Sequence, residues 1–489
     1  MNQLIYQLLP RLWGNGRFSG IDQQSLAYFR SLGVDTVWYT GVIRHATLRK
    51  DQGCTPSHPQ FVKGEAGSPY AITDYYDVNP YLADDPARRM EEFQELVDRT
   101  HKAGLKLLID FVPNHVARDY ASKAAPAGVR SLGADDDTSV HWAPGNDFFY
   151  YPGQALTLPV AVEGPAYQEY PAKASGNCFT PSPGVNDWYE TVKLNYCDFH
   201  TATWDKMRDI VLFWAAKGVD GFRCDMVELV PWQFMQWLIA SVKQAYPSIQ
   251  FVAEVYEKDK YRMYVQEVGF DLLYDKSGLY DTLRAVTCSG ASAKEISWNW
   301  QFLGDLQPHM LNFLENHDEQ RVASDFFCGS PEGGYAALAV SALLNEAPFM
   351  LYFGQEMGER GMQAEGFSGR DGRTSIFDWC EVPALLSPRQ DVLERYRSVL
   401  SLGKSPAFTE GRSFDLGYCQ ESGVFNPDRH FAFLRSNGKE SWLIVANFGA
   451  TADITVRIPQ EAMDYLGIRP IRTVYTLSVP ERDFEALKL

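Results

Sequence analysis

An alternation of short apolar runs with longer stretches of helical periodicity is the feature that most constrains the fold of this 489-residue chain. The apolar runs cover residues 4–9, 34–39, 105–112, 219–226, 249–256, 270–274, 310–314 and 348–353. Between two of them, the pattern of residues 86–102 predicts a helix that stops at Gly104. Strands that alternate with helices are typical of a parallel sheet with crossover connections. Eight such strands predict an α/β fold, a (β/α)8 TIM barrel.

Two segments interrupt this alternation. Residues 117–195 are rich in Gly, Pro, Ser, Asp and aromatic residues and are too long for a simple barrel loop, so we predict an inserted subdomain after the third strand. Residues 403–489 contain short alternating strands with turn residues between them, which predicts a C-terminal antiparallel β-sandwich domain. The barrel would then comprise residues 1–116 and 196–402.

The amino-acid composition disfavours some classes of binding partner. The chain has 62 acidic and 45 basic residues, a net charge of −17, which disfavours nucleic acid as a partner. No stretch approaches the roughly 18–20 apolar residues of a membrane span, so we expect no membrane partner. The amino terminus lacks the pattern of a secretory signal, and the eight cysteines are scattered without metal-site spacing. These features predict a cytoplasmic protein with reduced thiols.

Polar residues cluster where the third and fourth predicted strands end. The third strand leads into DFVPNHV, which contains Asp110, Asn114 and His115. The fourth leads into GFRCDMVEL, which contains Arg223 and Asp225, two residues apart and so on one side of an extended strand. Because the loops after the strands form the open face of such a barrel, these side chains are expected at its mouth.

The fifth and seventh strands add three more polar side chains to this mouth. Glu254 lies in FVAEVYE, and His317 and Asp318 lie in FLENHDEQR. A single aspartate after a strand usually caps the next helix, and an isolated arginine or histidine is usually structural. Three carboxylates at one barrel mouth, however, would repel one another, which favours a function for them.

Two carboxylates are the minimum for glycoside hydrolysis with retention of configuration, one as nucleophile and one as general acid and then base. Arg223 beside Asp225 predicts that this aspartate is ionised. Glu254 follows an apolar run, which predicts a protonated acid. The sequence therefore indicates a retaining glycosidase in which the two acids differ in protonation.

Taken together, these segments resemble the α-amylase family of retaining glycoside hydrolases. DFVPNH, GFRCDMVEL, FVAEVYE and FLENHD are similar to its four signature regions, in the same order along the chain. VKLNY, at 192–196, is similar to a further family region at the end of the inserted subdomain. SPYAITDYYDVNP and APFMLYFGQEMGE also resemble family segments, so the likeness extends through most of the barrel.

The resemblance implies a role for each member of the carboxylate triad. Asp225 would be the nucleophile, Glu254 the general acid/base, and Asp318 the carboxylate that stabilises the transition state. Arg223 would orient and ionise Asp225. Asp110 would give structural support by positioning that arginine.

The resemblance also implies residues that bind the substrate. His115 and His317 would hydrogen-bond the central sugar, and Tyr70 would stack on it, although Tyr70 also fits a packed strand or loop. Asn114 matches a position that ligates a structural calcium in many members, so a calcium ion is a further expectation.

Two features leave the substrate contacts open. Many family members carry a Lys-His pair shortly after the nucleophile, whereas this chain has Glu228 and Leu229. The aromatic segment DFFYYPG, at 147–153, could stack on sugars or form the core of the inserted subdomain.

The expected reaction is hydrolysis of α-1,4-glucosidic bonds in maltooligosaccharides, starch or glycogen through a covalent glycosyl-aspartate intermediate. The chemistry would require no cofactor, and the partner would be an α-glucan. Alternatives within the family are a transglycosylase or a cyclodextrin-cleaving, debranching or trehalose-forming enzyme. A non-catalytic glycan-binding protein is the alternative from another class.

Overall fold

Eight parallel strands form a closed barrel in the computed structural model, which describes residues 1–363, 367 and 369–489. The barrel strands are Leu4–Leu8, Thr36–Tyr39, Lys106–Phe111, Gly221–Cys224, Gln250–Ala253, Leu272–Tyr274, Met310–Phe313 and Phe349–Tyr352. Each lies inside one predicted run and pairs with its neighbours in the chain, and the first pairs with the last. The predicted TIM barrel is therefore confirmed. Most strand residues are buried because helices cover the outside and side chains fill the inside.

Helices surround the barrel in the expected alternation. They are Gln23–Ser31, Arg89–Lys102, Ala202–Ala216, Trp232–Ala245, Tyr261–Met263, Asp281–Cys288, Lys294–Leu303, Tyr335–Leu343 and Gln390–Gly403. The helix predicted at 86–102 begins with a 3-10 turn at Pro86–Arg88. Gly104, just beyond its end, has a φ of +76°, a left-handed conformation that favours glycine there.

The connection after the second strand makes an excursion over the barrel mouth. Within it, Ile43–His45 pairs antiparallel with Ile72–Val78. Asn79 holds the base of this excursion, because its Nδ2 donates 3.0 Å hydrogen bonds to the carbonyls of Gly41 and Ile43. Tyr70 is thereby carried to the mouth just before the longer strand begins.

The inserted segment after the third strand is attached to the barrel by a short antiparallel pair. His115–Ala117, at its start, pairs with Thr191–Lys193, near its end. A second pair joins Tyr150–Tyr151 to Ala172–Lys173. The buried guanidinium of Arg118 lies 2.9 Å from a carboxylate oxygen of Glu169, which braces the insert internally.

The C-terminal part contains two antiparallel sheets, as predicted. The first consists of Arg412–Asp415, His430–Ser436, Ser441–Asn447 and Phe484–Lys488, and the second of Ala452–Arg457 and Val474–Val479. Apolar side chains of both sheets and of the helix Gln460–Leu466 share one core. Within the described ranges, no helix combines the length and apolar character needed to cross a membrane.

Candidate active site

The carboxyl ends of the barrel strands surround a cavity of about 490 Å³, and all three predicted carboxylates line it. Asp225 follows the fourth strand directly, Glu254 follows the fifth, and Asp318 lies in the loop after the seventh. Tyr70 and His115 line the same cavity. The barrel thus brings together side chains that are far apart in sequence.

One buried guanidinium joins two of the acids. Arg223 Nη1 donates a 2.6 Å hydrogen bond to Asp225 Oδ1, and Nη2 lies 2.9 Å from Glu254 Oε2. Arg223 and Asp225 face the same side of the chain, as their spacing predicts. The guanidinium carbon also lies 5.2–5.5 Å from the ring centroids of Tyr70, Trp38 and Tyr274. Cation–π contacts with these rings hold the guanidinium in place next to the two carboxylates.

The pKa of the nucleophile candidate is shifted. Burial raises the pKa of Asp225 to about 8, and repulsion from Glu254 adds to this effect, while the attraction of Arg223 opposes it. The direction of this shift opposes the ionisation of Asp225 that the neighbouring Arg223 predicts, and the ionised Asp225 stays a prediction. Arg223 cannot compensate for the burial because its single charge is shared between two carboxylates.

Asp318 behaves in the opposite way. Burial pushes its pKa up, but the charge and hydrogen bond of His317, together with Arg223 and Arg373, lower it to about 2. His317 Nε2 lies 3.0 Å from Asp318 Oδ2. Asp318 is therefore ionised at neutral pH, while Asp225 and Glu254 face the same arginine.

The glutamate candidate is positioned by hydrogen bonds to both of its oxygens. Glu254 Oε1 accepts from the hydroxyl of Tyr256 at 2.9 Å, and Oε2 accepts from the backbone N–H of Met226 at 2.9 Å. Glu228 in turn accepts from the backbone N–H groups of Tyr256, at 2.8 Å, and Glu257, at 3.2 Å. Glu228 is one of the two residues that this chain has in place of the family's Lys-His pair. It therefore holds the loop that carries Tyr256, the hydrogen-bond partner of Glu254.

His317 connects two other site residues. Gln7 Nε2 lies 2.8 Å from His317 Nδ1. On the other side of the ring, His317 Nε2 lies 2.6 Å from the hydroxyl of Tyr70 and 3.0 Å from Asp318 Oδ2. The rings of Tyr70 and His317 also stack, with centroids 5.2 Å apart. Tyr70 and Asp318 line the cavity, and the buried side chain of His317 connects them from behind, so it does not itself line the cavity where a sugar contact was expected.

Asp110 supports this wall of the cavity. Its carboxylate accepts hydrogen bonds from Trp38 Nε1 at 3.2 Å, from Gly41 N at 2.9 Å and from the Tyr70 hydroxyl at 3.4 Å. Burial raises the pKa of Asp110, while the charge of Arg223, its neighbour on the next strand, lowers it. The role of Asp110 in positioning that arginine stays a prediction.

His115 lines the cavity as a neutral ring. Burial lowers its pKa to about 3, and the charges of Lys193 and Lys63 act in the same direction. The centroid of its ring lies 5.3 Å from that of Trp188 in the insert. A neutral imidazole beside an indole suits an uncharged, hydroxyl-rich ligand.

Sequence reasoning missed several residues of the cavity wall. They are Lys63, Trp188, Glu190, Tyr256, Glu319, Arg373, Ile376 and Phe377. Only Tyr256 had a usable signal, because it lies two residues after Glu254 and so on the same side of an extended segment. Lys63 Nζ and Glu190 Oε1 form a 2.8 Å ion pair that joins the excursion to the insert. Loops from three parts of the chain thereby complete the wall.

The predicted calcium ligand has a different partner. Asn114 Oδ1 accepts a hydrogen bond from Lys193 Nζ, and the same ammonium donates to the carbonyl of Leu229 at 3.2 Å. A side-chain cation therefore holds the oxygen of Asn114 and the carbonyl after the fourth strand. An ammonium group at this place does not fit a calcium ion on the Asn114 oxygen, and the calcium expectation stays a prediction.

The aromatic segment at 147–153 packs inside the insert. Phe148, Phe149 and Tyr150 are buried, and none of the segment's side chains lines the catalytic cavity. Asp147, also buried, accepts a 2.8 Å hydrogen bond from Thr203 Oγ1 on the helix that follows the insert. Of the two alternatives left open, the core of the subdomain is the one observed.

Comparison with known proteins decides the family. The model for the alpha amylase catalytic domain matches residues 10–381, which is most of the chain. This chain belongs to the α-amylase family. The arrangement of Arg223, Asp225, Glu254 and Asp318 at the mouth therefore occurs in a barrel of glycoside hydrolase family 13.

Among α-amylase family members, this chain is similar to Alpha-amylase 3 of Dictyoglomus thermophilum, with 22% identity over 384 residues, or 75% of this chain and 66% of that protein. Alpha-amylase MalA of Haloarcula japonica is 26% identical over 470 residues, or 94% of this chain and 57% of that protein. The chain thus spans two thirds or less of the length of these relatives. The maltogenic alpha-amylase AmyB of Thermotoga neapolitana shares the fold, with a TM-score of 0.67 and 19% identity over 100% of this chain and 96% of that one.

Other similar proteins carry different names. They include a cyclomaltodextrinase of Bacillus sp., a maltosyltransferase of Cereibacter sphaeroides and a mouse amino acid transporter heavy chain. The transporter heavy chain matches only 46% of this chain, and the cyclomaltodextrinase matches 91%. Membership of the family therefore does not by itself select one activity.

Proposed function

We propose that this protein hydrolyses α-1,4-glucosidic bonds in maltooligosaccharides or larger α-glucans with retention of anomeric configuration. The observation that carries the proposal is the pairing of Asp225 and Glu254 on the two terminal nitrogens of Arg223. A retaining glycosidase needs one proton and one negative charge distributed over its two acids. A shared arginine and a raised Asp225 pKa favour a pair that holds one proton between its members.

The first chemical step cleaves the glycosidic bond. Glu254 gives its proton to the glycosidic oxygen while a carboxylate oxygen of Asp225 attacks the anomeric carbon. The bond between that carbon and the leaving oxygen breaks, and its electron pair stays with the oxygen. The products are a shortened glucan with a new hydroxyl and a glycosyl ester on Asp225.

The second step releases the sugar. The Glu254 carboxylate takes a proton from water, whose oxygen attacks the anomeric carbon and displaces the Asp225 carboxylate. Glu254 is thereby protonated again, and the proton count returns to its start. The two steps use the carboxylates and water alone. The ionised carboxylate of Asp318, fixed by His317, is positioned to favour positive charge on the sugar ring.

The cavity wall supports a neutral sugar as the ligand. Tyr70, Trp188, Tyr256 and Phe377 offer aromatic surface, and the neutral ring of His115 lies among them. Aromatic faces pack against the apolar faces of sugar rings, while buried polar groups bind hydroxyls. The names of several relatives, amylases and a cyclomaltodextrinase among them, favour an α-glucan.

Incubation with maltoheptaose tests this proposal. The parent protein should produce shorter oligosaccharides, and the new reducing ends should appear first as the α-anomer in a time-resolved NMR spectrum. The Asp225→Asn variant should produce none. Products longer than maltoheptaose would indicate transglycosylation, which the name of the maltosyltransferase relative keeps as the alternative. Intact maltoheptaose, cyclodextrins and α-1,6-linked substrates would refute the catalytic proposal and favour a glycan-binding role.

A further inference from the structure

We propose that the groove between the helix Lys294–Leu303 and the C-terminal domain is a second binding site for α-glucan chains, separate from the catalytic cavity. The groove has a volume of about 520 Å³, similar to the 490 Å³ of the catalytic cavity, and the two have no lining residue in common. The class of ligand rests on the proposed function. The site itself rests on the features of the groove.

Two large aromatic side chains line the groove and remain open to solvent. Trp298, on the barrel helix, and Tyr418, on the C-terminal domain, are each 64% exposed. The Tyr418 hydroxyl donates a 2.8 Å hydrogen bond to Glu461, so its ring is held while its surface stays free. Exposed indole and phenol rings at one groove provide the flat apolar surfaces on which sugar rings pack.

Polar groups next to these rings are available to hydroxyl groups. His430 Nδ1 accepts a 3.0 Å hydrogen bond from Asn426 N, and burial lowers the pKa of His430, so the ring is neutral with its proton on Nε2. Trp300, which also lines the groove, has a buried Nε1 without an acceptor among the described residues. Both groups are donors that sugar oxygens could satisfy.

The charges around the groove favour a neutral ligand. Lys294 lies 3.3 Å from Asp428, which neutralises it. The carboxylate of Asp415 accepts a 2.7 Å hydrogen bond from Gly417 N and also interacts with the hydroxyl of Ser297. An anionic partner would find no unpaired positive charge in these residues, and the carboxylate of Asp415 already accepts from neutral donors. A neutral polyol meets stacking surfaces and neutral donors instead.

The two walls are fixed relative to each other. Ala293 N donates to Asp428 O at 3.0 Å, Ser292 Oγ to Asp428 Oδ1 at 2.6 Å, and Arg429 Nη2 to Gly290 O at 2.7 Å. These bonds join the segment before the barrel helix to the C-terminal domain. A groove with fixed walls binds without first having to order its sides, which favours affinity for a stiff ligand.

Gel electrophoresis in the presence of glycogen tests the groove directly. In an Asp225→Asn background, which keeps the glycogen intact, Trp298→Ala and Tyr418→Ala should each weaken retardation by roughly tenfold in apparent dissociation constant. Trp298→Phe should restore part of the affinity because it retains a ring. Phe199→Ala is the matched control, since Phe199 is 75% exposed but lies outside the groove.

Kinetics of the same substitutions in the active protein separate this site from the catalytic one. Trp298→Ala should lower kcat/KM for glycogen by several-fold and leave kcat/KM for maltotriose unchanged, which also shows that the variant folds. Retardation of the groove variants equal to that of Phe199→Ala, or no retardation of any form, would overturn the proposal. Retardation that depends on Trp298 without hydrolysis of any substrate would refute the proposed function and leave the second site standing.

Discussion

Two fully buried arginines lie at the same end of the barrel and differ in how their charge is used. Arg321 binds one carboxylate, that of Glu315, at 2.9 Å through Nη1, which also donates to the carbonyl of Phe353, while Nε and Nη2 donate to Thr374 Oγ1. Arg223 faces two carboxylates, those of Asp225 and Glu254. The first cluster is balanced and closed, whereas the second has an excess of acid and opens on the cavity.

The difference shows which buried charges mark a functional site. A one-to-one pair in which every guanidinium nitrogen is hydrogen-bonded holds the loop after the seventh strand and gains nothing from a ligand. Two acids on one cation keep a proton that is free to move, which is unfavourable for stability and useful for acid–base chemistry. The following predictions test this contrast, beginning with the largest expected effect.

Replacement of Asp225 by Asn should lower kcat by at least about 10⁴-fold, because the amide cannot form the glycosyl ester. Time courses of maltoheptaose cleavage measure this loss. The melting temperature should stay the same or rise, since the variant removes one of two acids that repel each other. A variant with more than a hundredth of the parent rate would contradict the assignment of the nucleophile.

Replacement of Glu254 by Gln should lower kcat by about 10²–10⁴-fold on maltooligosaccharides. The amide retains the contacts with Tyr256 and Met226 but cannot deliver a proton. An α-maltosyl fluoride, whose leaving group needs no proton, should be cleaved with a much smaller loss in the first step. Equal losses on both substrates would argue against Glu254 as the acid.

The raised pKa of Asp225 should appear in the pH profile. Because the nucleophile must be ionised, kcat/KM should fall about tenfold per pH unit on an acid limb whose apparent pKa lies well above the ordinary 3.8. Rates measured from pH 4 to 9 locate this limb. A limb near pH 4 would show that Asp225 is ionised throughout.

The same shift has a consequence for folding, with a definite sign. The folded-state pKa is raised from 3.8 to about 8, so the stability that Asp225 contributes is present below pH 4 and is lost as the pH rises towards 8. Denaturant unfolding across this range should show a decline in the parent that Asp225→Asn reduces. Identical pH profiles for the two proteins would contradict the shift.

A substitution in the cluster of Arg321 and Glu315 should lower the stability of the protein and leave its catalytic activity nearly unchanged. Glu315→Gln should lower the free energy of unfolding by about 1–3 kcal/mol, because Arg321 loses its charged partner. Its kcat/KM should remain within about threefold of the parent value. This variant is the isosteric match for Glu254→Gln, and similar activity losses in both would remove the distinction between the clusters.

Lys193 provides a third cation for comparison, which is half-buried and bound to neutral oxygens. Lys193→Met should lower the free energy of unfolding by about 1–2 kcal/mol, since Asn114 Oδ1 and Leu229 O lose their donor. Chelation of calcium should leave the melting temperature of the parent unchanged. A fall in melting temperature on chelation, reversed by added calcium, would show that the lysine does not replace the metal.

The sequence predicts the barrel and the carboxylates because both depend on local pattern. Each barrel strand is a short apolar run, and Asp225 and Glu254 follow their strands directly. The antiparallel strands of the C-terminal part are read from local alternation for the same reason, and His430–Ser436 is one of them. The exact domain boundaries stay predictions.

The remainder of the site depends on contacts between distant segments. Trp188 and the pair of Lys63 and Glu190 reach the cavity through loops whose paths are set by packing, which no local pattern encodes. The shifted pKa of Asp225 follows from its burial at the barrel mouth and, in addition, from the charge of Glu254 on the neighbouring strand. Lys193 and Asn114 are 79 positions apart in the sequence, so no local pattern predicts that the two side chains are in contact.

Glu228 sets a limit on how this protein can be redesigned. Its carboxylate accepts hydrogen bonds from the backbone N–H groups of Tyr256 and Glu257, and the carbonyl of Leu229 accepts one from Lys193 Nζ. A protein engineer who grafted a Lys-His pair at these two positions to alter product length would remove the brace of the catalytic acid's loop at the same time. A change at Glu228 would therefore also affect the position of Tyr256 next to Glu254, so such a graft would need compensating changes around Tyr256.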